Sequence, residues 1–341
     1  MRKLNWGPLF FGSFGMLVII LDGKTAVSGV RSGIELCLNT LIPSLFPFFV
    51  LSALVTGSVS GRSIRPLRSV CRFCRMSPGT ESFLAVGLLG GYPVGAANIS
   101  SARSKGSLTP EEASRIVIFC NNAGPSFLFG ILGPLFPSPI WLWLLWAIQI
   151  GASLLTGCLL PGGFSNSVRT EAQRPTSLPD CLNRSVRSMT LVCGWVILFR
   201  MVLAFLQRWF LWLLPVPAQV VFTGLLELSN GCLALNGIKS HALRFVVSGV
   251  MLSLGGICVW MQTSAVFPQL NLSHYIGGRI IHCMLCLWLS GLILPILIGA
   301  ASTSRLTILL SLAISGIILI LILRKHKKAV AFYSSMMYNG V

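Results

Sequence analysis

The chain is poor in charged and catalytic side chains. Only 10% of its 341 residues are charged, and aspartate and glutamate together number eight. A soluble domain carries about 25% charged residues, so this composition excludes an ordinary soluble protein. The sequence has four histidines and contains none of the GxSxG, Walker A or HExxH patterns. We therefore expect that the protein is not an enzyme and has no catalytic residues, no metal site and no cofactor.

Apolar residues dominate the composition of the chain. They make up 54% of the chain, and the mean hydropathy is +0.81. Five charge-free stretches approach or reach the ~20 residues that a helix needs to cross a bilayer. These stretches are residues 4–21, 139–160, 245–266, 280–301 and 306–323. The sequence therefore predicts an all-α, polytopic membrane protein.

Eleven cysteines include two CxxC pairs, Cys71 with Cys74 and Cys283 with Cys286. One zinc site built from both pairs would require one pair to leave its membrane span, so we expect no such site. The other cysteines are single residues, mostly within apolar spans. They do not form the dense pattern of a disulfide framework.

The basic residues are spread along the chain. There are 26 lysines and arginines, and the formal net charge is +18. They occur in short loops between apolar stretches rather than on one folded face, which argues against a nucleic-acid partner. Basic loops at residues 62–75, 103–105, 169–187 and 324–328 fit the positive-inside rule. We therefore expect both termini to be cytoplasmic.

This charge pattern predicts about eight transmembrane helices and two re-entrant hairpins, at residues 81–100 and 218–235. The other internal spans are expected at residues 34–58, 111–135 (broken), 139–160, 188–206, 245–266 and 275–298. We divide the chain into an N-terminal anchor helix (1–28), a first repeat (29–160), a cytoplasmic linker (161–187), a second repeat (188–300) and a C-terminal helix with a basic tail (301–341).

Two glycine-broken polar patches interrupt the apolar first half, at residues 90–95 (GGYPVG) and 120–125 (CNNAGP). A bilayer tolerates such backbone only where protein or a water-filled cavity satisfies its N–H and C=O groups. Pro125 removes a donor, which frees carbonyls near Asn121. The side chains of Asn121 and Asn122 can bind a ligand there. Alternatively, they hydrogen-bond neighbouring helices at a proline kink.

The second half repeats this pattern in outline. Residues 224–231 (GLLELSNG) echo residues 87–95, and residues 253–256, running on to Gln262, echo residues 121–125. Paired helix breaks in two halves are typical of the inverted repeats of secondary transporters. Glu227 lies in the apolar run 216–235, where a carboxylate is costly unless it is paired, protonated or solvated. It is either a coupling group or a structural cap of the hairpin.

The candidate site combines both halves. The predicted substrate-binding residues are Gly90, Gly91, Tyr92, Gly95, Asn121, Asn122, Ser229, Asn230 and Gln262, and Glu227 is the predicted coupling or gating group.

Four segments carry a family resemblance: residues 41–48 (LIPSLFPF), 91–96 (GYPVGA), 108–113 (LTPEEA) and 119–127 (FCNNAGPSF). They resemble the nucleoside-recognition "Gate" domain and, more closely, the YlbJ-type sporulation integral membrane proteins of endospore-forming Firmicutes. The resemblance implies two Gate-like repeats in a permease-like protein, linked to moving dipicolinate across the membranes around the forespore. These proteins often have lysine after the GYPxGA motif, where this chain has Ala97.

The working hypothesis is a secondary transporter for a small, polar, anionic metabolite such as dipicolinate. Its two repeats would rock around a midplane site during alternating access. It would lie in the bacterial cell membrane, specifically the mother-cell or outer forespore membrane. The alternatives are a non-transporting scaffold for spore-envelope assembly and a nucleoside-type permease. The expected partners are a small-molecule substrate and the lipid bilayer, and formation of a homo-oligomer is left open.

Overall fold

The computed structural model describes residues 6–59, 64–162 and 177–297, together with Gly316. Every regular element within these ranges is helical, which confirms the predicted all-α fold. Helix α1 spans Trp6–Leu21, and Asp22 then caps α2, Gly23–Leu36, by accepting a hydrogen bond from the Thr25 N–H. A π-helical turn, Cys37–Leu41, joins α2 to α3, Ile42–Val59.

The first hairpin follows the short helix α4, Arg68–Phe73. Its arms are α5, Glu81–Leu89, and α6, Val94–Ser104, and the chain turns between them. These arms have 9 and 11 residues. At ~1.5 Å per residue, neither arm can cross a hydrocarbon core ~30 Å thick. The hairpin therefore has the dimensions predicted for a re-entrant segment.

A broken helix comes next. Its first part, α7, spans Pro110–Phe119 and begins where the Thr109 side chain accepts a hydrogen bond from the Glu112 N–H. After an irregular segment, α8 covers Pro125–Phe127 and continues as a π-helical turn, Leu128–Leu132, and a 3-10 turn, Gly133–Leu135. The long helix α9, Pro139–Leu159, completes the first half.

The second half contains the same kinds of element. Its helices are α10 (Leu178–Trp209), α11 (Val216–Leu226), α12 (Leu228–Ala234), α13 (His241–Leu254), α14 (Gly256–Val266) and α15 (Leu272–Leu297). Helices α11 and α12 form a second hairpin that turns at Glu227. Helices α13 and α14 are two parts of a second broken helix, interrupted at Gly255, and α15 is the long helix that follows.

The packing of the two halves is crosswise. The first hairpin contacts the second broken helix through α6 and α14, and the second hairpin contacts the first broken helix through α12 and the π-helical turn after α8. Long helices support this centre, because α2 and α3 pack along α10 while α9 packs along α15. The two hairpin tips and the two helix breaks are therefore close to one another.

Five helical segments of the described chain are long and apolar enough to cross a membrane. They are Gly23–Val55, Pro139–Leu159, Leu178–Trp209, His241–Val266 and Leu272–Pro295. The polytopic membrane architecture is thereby confirmed. The total of about eight spans, the domain limits and the inverted orientation of the repeats stay predictions.

Two helix starts differ from the prediction. Helix α10 begins at Leu178 rather than at residue 188, because Ser177 and Asp180 form a capping box and Pro179 fits the first turn. Ten residues of the predicted linker are therefore helical. Similarly, the helix predicted over residues 34–58 already begins at Gly23, behind the Asp22 cap. The predicted end of the anchor at residue 28 thus lies inside α2.

Several predictions concern residues outside the described ranges. They include the last span at 306–323, the basic tail that follows it, most of the central linker and the basic residues at positions 2, 3 and 62.

Candidate functional site

Both hairpin tips, the first helix break and helix α14, which follows the second break, border one central cavity of about 30 Å³. Helices α3 and α10 supply the rest of its wall. The lining residues are Leu45, Phe49, Gly91, Tyr92, Gly124, Ser126, Phe127, Val192, Val196, Glu227, Leu228, Ser229, Val259 and Gln262. A volume of this size holds about two water molecules, so the walls lie close together.

The tip of the first hairpin requires glycine at position 91. Gly91 has a φ of +73°, in the left-handed region that other residues avoid. A Cβ atom at this position would also lie 3.0 Å from the backbone nitrogen of Gly124. The tip therefore approaches the first helix break closely, and it continues through a cis peptide bond between Tyr92 and Pro93.

Tyr92 connects this tip to the second half of the chain. Its hydroxyl donates a hydrogen bond of 2.7 Å to the Leu252 carbonyl, near the end of α13. The same hydroxyl accepts a hydrogen bond of 2.9 Å from Arg279 Nη2. Tyr92 thus both lines the cavity and bonds to groups behind it.

Asn121 joins three elements. Its Oδ1 accepts a hydrogen bond from the Ala96 N–H, and its Nδ2 donates to Thr263 Oγ1 at 3.0 Å and to the Tyr275 hydroxyl at 3.2 Å. The side chain is fully buried. Its polar atoms are therefore satisfied by α6, α14 and α15, as the helix-packing alternative for this residue predicts.

Asn122 is bonded in a similar way. Its Nδ2 donates to the Phe119 carbonyl at 2.7 Å and to Ser153 Oγ at 3.0 Å, and its Oδ1 accepts a hydrogen bond from Arg279. Neither asparagine lines the cavity. The first break is thus filled largely by the protein's own side chains.

Arg279, on α15, is a central residue that the sequence analysis did not select. Its side chain is fully buried. Nη1 donates to the carbonyls of Ile118 and Asn121, each at 3.3 Å, and Nη2 donates to the Leu252 carbonyl at 3.1 Å.

These contacts have a simple physical cause. The last carbonyls of a helix have no intrahelical partner and carry partial negative charge, so a buried cation stabilises them. Ile118 and Leu252 belong to the last turns of α7 and α13. Arg279 therefore satisfies the ends of both broken helices. An arginine inside the predicted span 275–298 was the signal that could have identified it.

Glu227 is the buried charge of the opposite sign. Its side chain is 1% exposed and caps α12 by accepting hydrogen bonds from the N–H groups of Ser229 (3.0 Å) and Asn230 (2.7 Å). Asn230 Nδ2 donates to it as well, at 2.6 Å. Within the described ranges Glu227 forms no ion pair. The predicted structural cap is present, and the carboxylate also lines the cavity.

The second helix break is simpler than the first. Gly255 has a φ of +76° and ends α13, and α14 begins at the next residue. Gln262, two turns into α14, lines the cavity and donates a hydrogen bond from Nε2 to Cys258 Sγ. Gly256 also has a positive φ, +74°, so two consecutive left-handed glycines interrupt this helix.

The structure brings half of the predicted site together. The predicted residues that line the cavity are Gly91, Tyr92, Glu227, Ser229 and Gln262, and those that do not are Gly90, Gly95, Asn121, Asn122 and Asn230. Gly95 instead packs against the Cys120 carbonyl, where a Cβ atom would lie only 2.2 Å away. Ligand contact by any of these residues stays a prediction.

Ala97 lies elsewhere. It lines a separate groove on the side of the protein, together with residues of α10 and α14. Position 97 therefore belongs to this groove and not to the lining of the central cavity.

The two CxxC pairs lie in different parts of the fold: Cys71 is on α4 and Cys74 directly follows that helix, whereas Cys283 and Cys286 are on α15. Among the residues that the structure describes, no three His, Cys, Asp or Glu side chains are grouped so that they could hold a metal ion. The absence of a metal and of a cofactor stays a prediction.

Comparison with known proteins gives one informative similarity. The chain is 22% identical over 324 residues to the sporulation integral membrane protein YlbJ of Bacillus subtilis (strain 168), and the match covers 80% of this chain and 78% of that protein. This similarity confirms the resemblance to YlbJ-type proteins. Together with the five apolar spans, it identifies the chain as an integral membrane protein. No family model and no solved structure matches the chain, and the Gate domain stays a prediction.

Proposed function

We propose that the protein is a secondary transporter that carries a small, polar, anionic metabolite by alternating access. The observation that carries this proposal is the central cavity, where the two hairpin tips meet the first helix break and helix α14. Discontinuous helices from two repeats form the midplane binding sites of many secondary transporters. The crosswise contacts between hairpins and broken helices support an inverted repeat in this chain.

The helix ends around the cavity favour an anion. Helix α6 and the helical segment Pro125–Leu135 each begin beside it and have about three turns. The first N–H groups of a helix lack intrahelical partners and carry partial positive charge. Such groups can bind carboxylate oxygens, although the Ala96 N–H in the first turn of α6 already donates to Asn121 Oδ1. Dipicolinate, a small aromatic ring with two carboxylates, has the matching chemistry.

Glu227 is the proposed coupling group. Its carboxylate lies in the cavity wall, so the negative charge of an arriving substrate would repel it strongly in this poorly solvated space. A proton or a cation bound to Glu227 removes that repulsion. We therefore propose that the anion and a proton or cation move in the same direction.

The similarity to YlbJ supports a role in sporulation, since that protein is named a sporulation integral membrane protein. The proposed location is the mother-cell or outer forespore membrane, with both termini in the cytoplasm. A homo-oligomer stays open.

The test is uptake of labelled dipicolinate into proteoliposomes that contain the purified full chain. We expect uptake by the wild type and, for Glu227→Gln, a loss of at least about tenfold, equivalent to ~1.4 kcal/mol. Glu35→Gln is the matched control, because Glu35 is an exposed carboxylate on α2 that does not line the cavity. Folded wild-type protein without uptake would overturn the proposal. Normal uptake by Glu227→Gln would remove Glu227 from it.

A nucleoside-type permease is distinguished in the same vesicles. Labelled uridine replaces dipicolinate, with each compound also tested as a competitor of the other. Uptake of uridine that dipicolinate does not inhibit would favour the nucleoside alternative.

One observation favours the scaffold alternative: the polar groups of Asn121 and Asn122 are bonded within the protein. A sporulating host separates the two functions. If the protein transports dipicolinate, spores with Glu227→Gln have a normal envelope and little dipicolinate. If it is a scaffold for envelope assembly, deletion of the gene disturbs the envelope and Glu227→Gln leaves both properties unchanged.

A further inference from the structure

A groove of about 940 Å³ runs along the side of the protein, between α10 and the ends of α6 and α14. It is far larger than the central cavity and does not share lining residues with it. Its floor is one face of α10, formed by Asn183, Arg187, Thr190, Gly194 and Leu198. Residues at these spacings lie above one another on a helix, so the floor is a continuous stripe.

The stripe changes from polar to apolar along its length. Asn183 and Arg187 lie at one end, whereas Gly194, Trp195 and Leu198 form the other end. All the charged residues in the first half of α10 precede residue 188, and the next twelve residues are uncharged. The groove therefore crosses from a charged helix segment to an apolar one.

The length of α10 relates this change to the membrane. The helix has 32 residues, about 48 Å at ~1.5 Å per residue, whereas the hydrocarbon core is ~30 Å thick. The part after residue 187 is sufficient to cross that core. With that part in the core, Arg187 would lie where the lipid headgroups meet the hydrocarbon, and the apolar end of the groove would lie beside the acyl chains.

Arg187 is available to a ligand. Its side chain is exposed and makes no ion pair with another described residue. No acidic side chain is among those that line the groove. Gly194 keeps the floor open below it, since a Cβ atom there would meet nothing within 4 Å. The polar end therefore attracts an anion, and the apolar end leaves room for a chain.

We propose that this groove binds one anionic phospholipid. Its phosphate group accepts hydrogen bonds from Arg187 and Asn183, and one acyl chain lies over Gly194 against Trp195 and Leu198. A soluble anion would use only the polar end and would leave the apolar end uncovered. The proposal rests on the groove alone and does not depend on the transport function.

The experiment measures lipid binding to the purified full chain by native mass spectrometry. Phosphatidylglycerol and phosphatidylcholine with identical acyl chains are titrated separately. We expect wild-type protein to prefer phosphatidylglycerol, and Arg187→Gln to bind it about fivefold more weakly, as for the loss of one basic residue at a lipid surface. Arg184→Gln is the matched control, because Arg184 is exposed on α10 but does not line the groove.

A second pair of variants tests the apolar end. Gly194→Leu fills the groove without a clash and is expected to weaken binding of both lipids. Gly277→Leu is its control, since a Cβ atom at that exposed position of α15 also meets nothing within 4 Å. Unfolding temperatures verify that all variants are folded.

The outcomes divide clearly. Weaker binding in Arg187→Gln and Gly194→Leu, with both controls unchanged, supports the proposal. Equal binding of the two lipids by the wild type, or unaltered phosphatidylglycerol binding by Gly194→Leu, overturns it. Displacement of the lipid by glycerol 3-phosphate alone would also overturn it, because the groove would then bind the headgroup and not the lipid.

Discussion

The two buried charges at the centre of the molecule have different surroundings. Arg279 donates hydrogen bonds to α7, to the first break, to α13 and to the tip of the first hairpin. Among the residues that the structure describes, Glu227 accepts hydrogen bonds only from Ser229 and Asn230 of its own hairpin. Arg279 is outside the cavity lining, whereas Glu227 is part of it.

This difference separates a structural charge from a functional candidate. The partners of Arg279 come from distant parts of the chain, so its removal affects several elements at once. The partners of Glu227 are local, so a proton or a ligand on the carboxylate would change hydrogen bonds within its own hairpin only. A buried charge near a cavity is therefore not by itself evidence of ligand binding. Hydrogen-bond partners from distant parts of the chain indicate a structural role, whereas partners from the same hairpin leave a functional role possible.

The largest effect is expected for Arg279→Leu, which tests whether Arg279 is a structural charge. Three carbonyls lose a charged donor, and we expect the free energy of unfolding in detergent to fall by about 3–5 kcal/mol. Arg279→Lys should recover only part of this loss, because an ammonium group cannot reproduce the guanidinium geometry. Arg31→Leu, at an exposed position of α2, is the control. Wild-type stability of Arg279→Leu would refute the structural role.

The glycine at the first hairpin tip can be compared with the glycine at the second helix break. Gly91→Ala and Gly255→Ala both place a side chain at positive φ, which costs about 1–2 kcal/mol. We expect Gly91→Ala to lose more stability, because its Cβ would contact the backbone of Gly124, whereas at Gly255 the nearest atom belongs to the Val259 side chain. Chemical denaturation measures both losses, with Gly277→Ala as the control. Equal losses would show that the first tip can move away from the break.

Glu227→Gln tests whether Glu227 acts in transport rather than in stabilising the fold. We expect a loss of about 1–3 kcal/mol in stability, since the amide oxygen can still accept hydrogen bonds on one side, whereas the amide NH2 group faces an N–H donor on the other. Dipicolinate uptake should lose its dependence on a proton or cation gradient. Thermal unfolding and uptake at two external pH values measure the two effects. A loss of stability as large as that of Arg279→Leu would instead make Glu227 a structural residue.

The smallest effect is expected at an exposed ion pair, Asp22 with Arg208, whose atoms are 3.2 Å apart. Hydrogen bonds from Thr25, with a smaller contribution from Arg208, lower the pKa of Asp22 below its ordinary value of 3.8. A lowered pKa stabilises the fold above that ordinary value, and the stabilisation disappears as the pH falls through the folded-state pKa. Asp22→Asn should therefore lower the unfolding temperature slightly at pH 7, and the difference should shrink below pH 3.8.

An unchanged difference at low pH would mean that the cap, rather than the charge, stabilises this turn. Thermal unfolding from pH 7 to below pH 3.8 distinguishes the two cases, and Glu35→Gln is the control for an exposed carboxylate of the same helix.

The sequence was informative where backbone chemistry is local. Glycine and proline at residues 90–95 and 120–125 predicted both the first hairpin and the first broken helix, because these residues act on their immediate neighbours. Glu227 was recognisable as an isolated carboxylate in an apolar run. These predictions required no knowledge of distant contacts.

The hydrogen-bond partners of buried polar side chains were less predictable from the sequence. Asn121 is bonded to Thr263 and Tyr275, more than 140 residues away, so only the fold reveals that its amide is already satisfied. Arg279 directly precedes the charge-free stretch at residues 280–301, so it resembles a charge at the end of a span although it lies inside the fold. The start of α10 was missed for a different reason: the polar residues that form its capping box were interpreted as part of a linker.

The contacts of Arg279 also restrict how the molecule can change shape. Through this one side chain, elements of both sequence halves are joined: α7 from the first and α13 from the second, along with α15 itself. A motion that separated the halves would have to break these buried bonds. A displacement of the joined helices as one body, past the pair formed by α3 and α10, would leave them intact. We therefore expect the helices joined by Arg279 to move together, rather than the two sequence halves to separate at the linker.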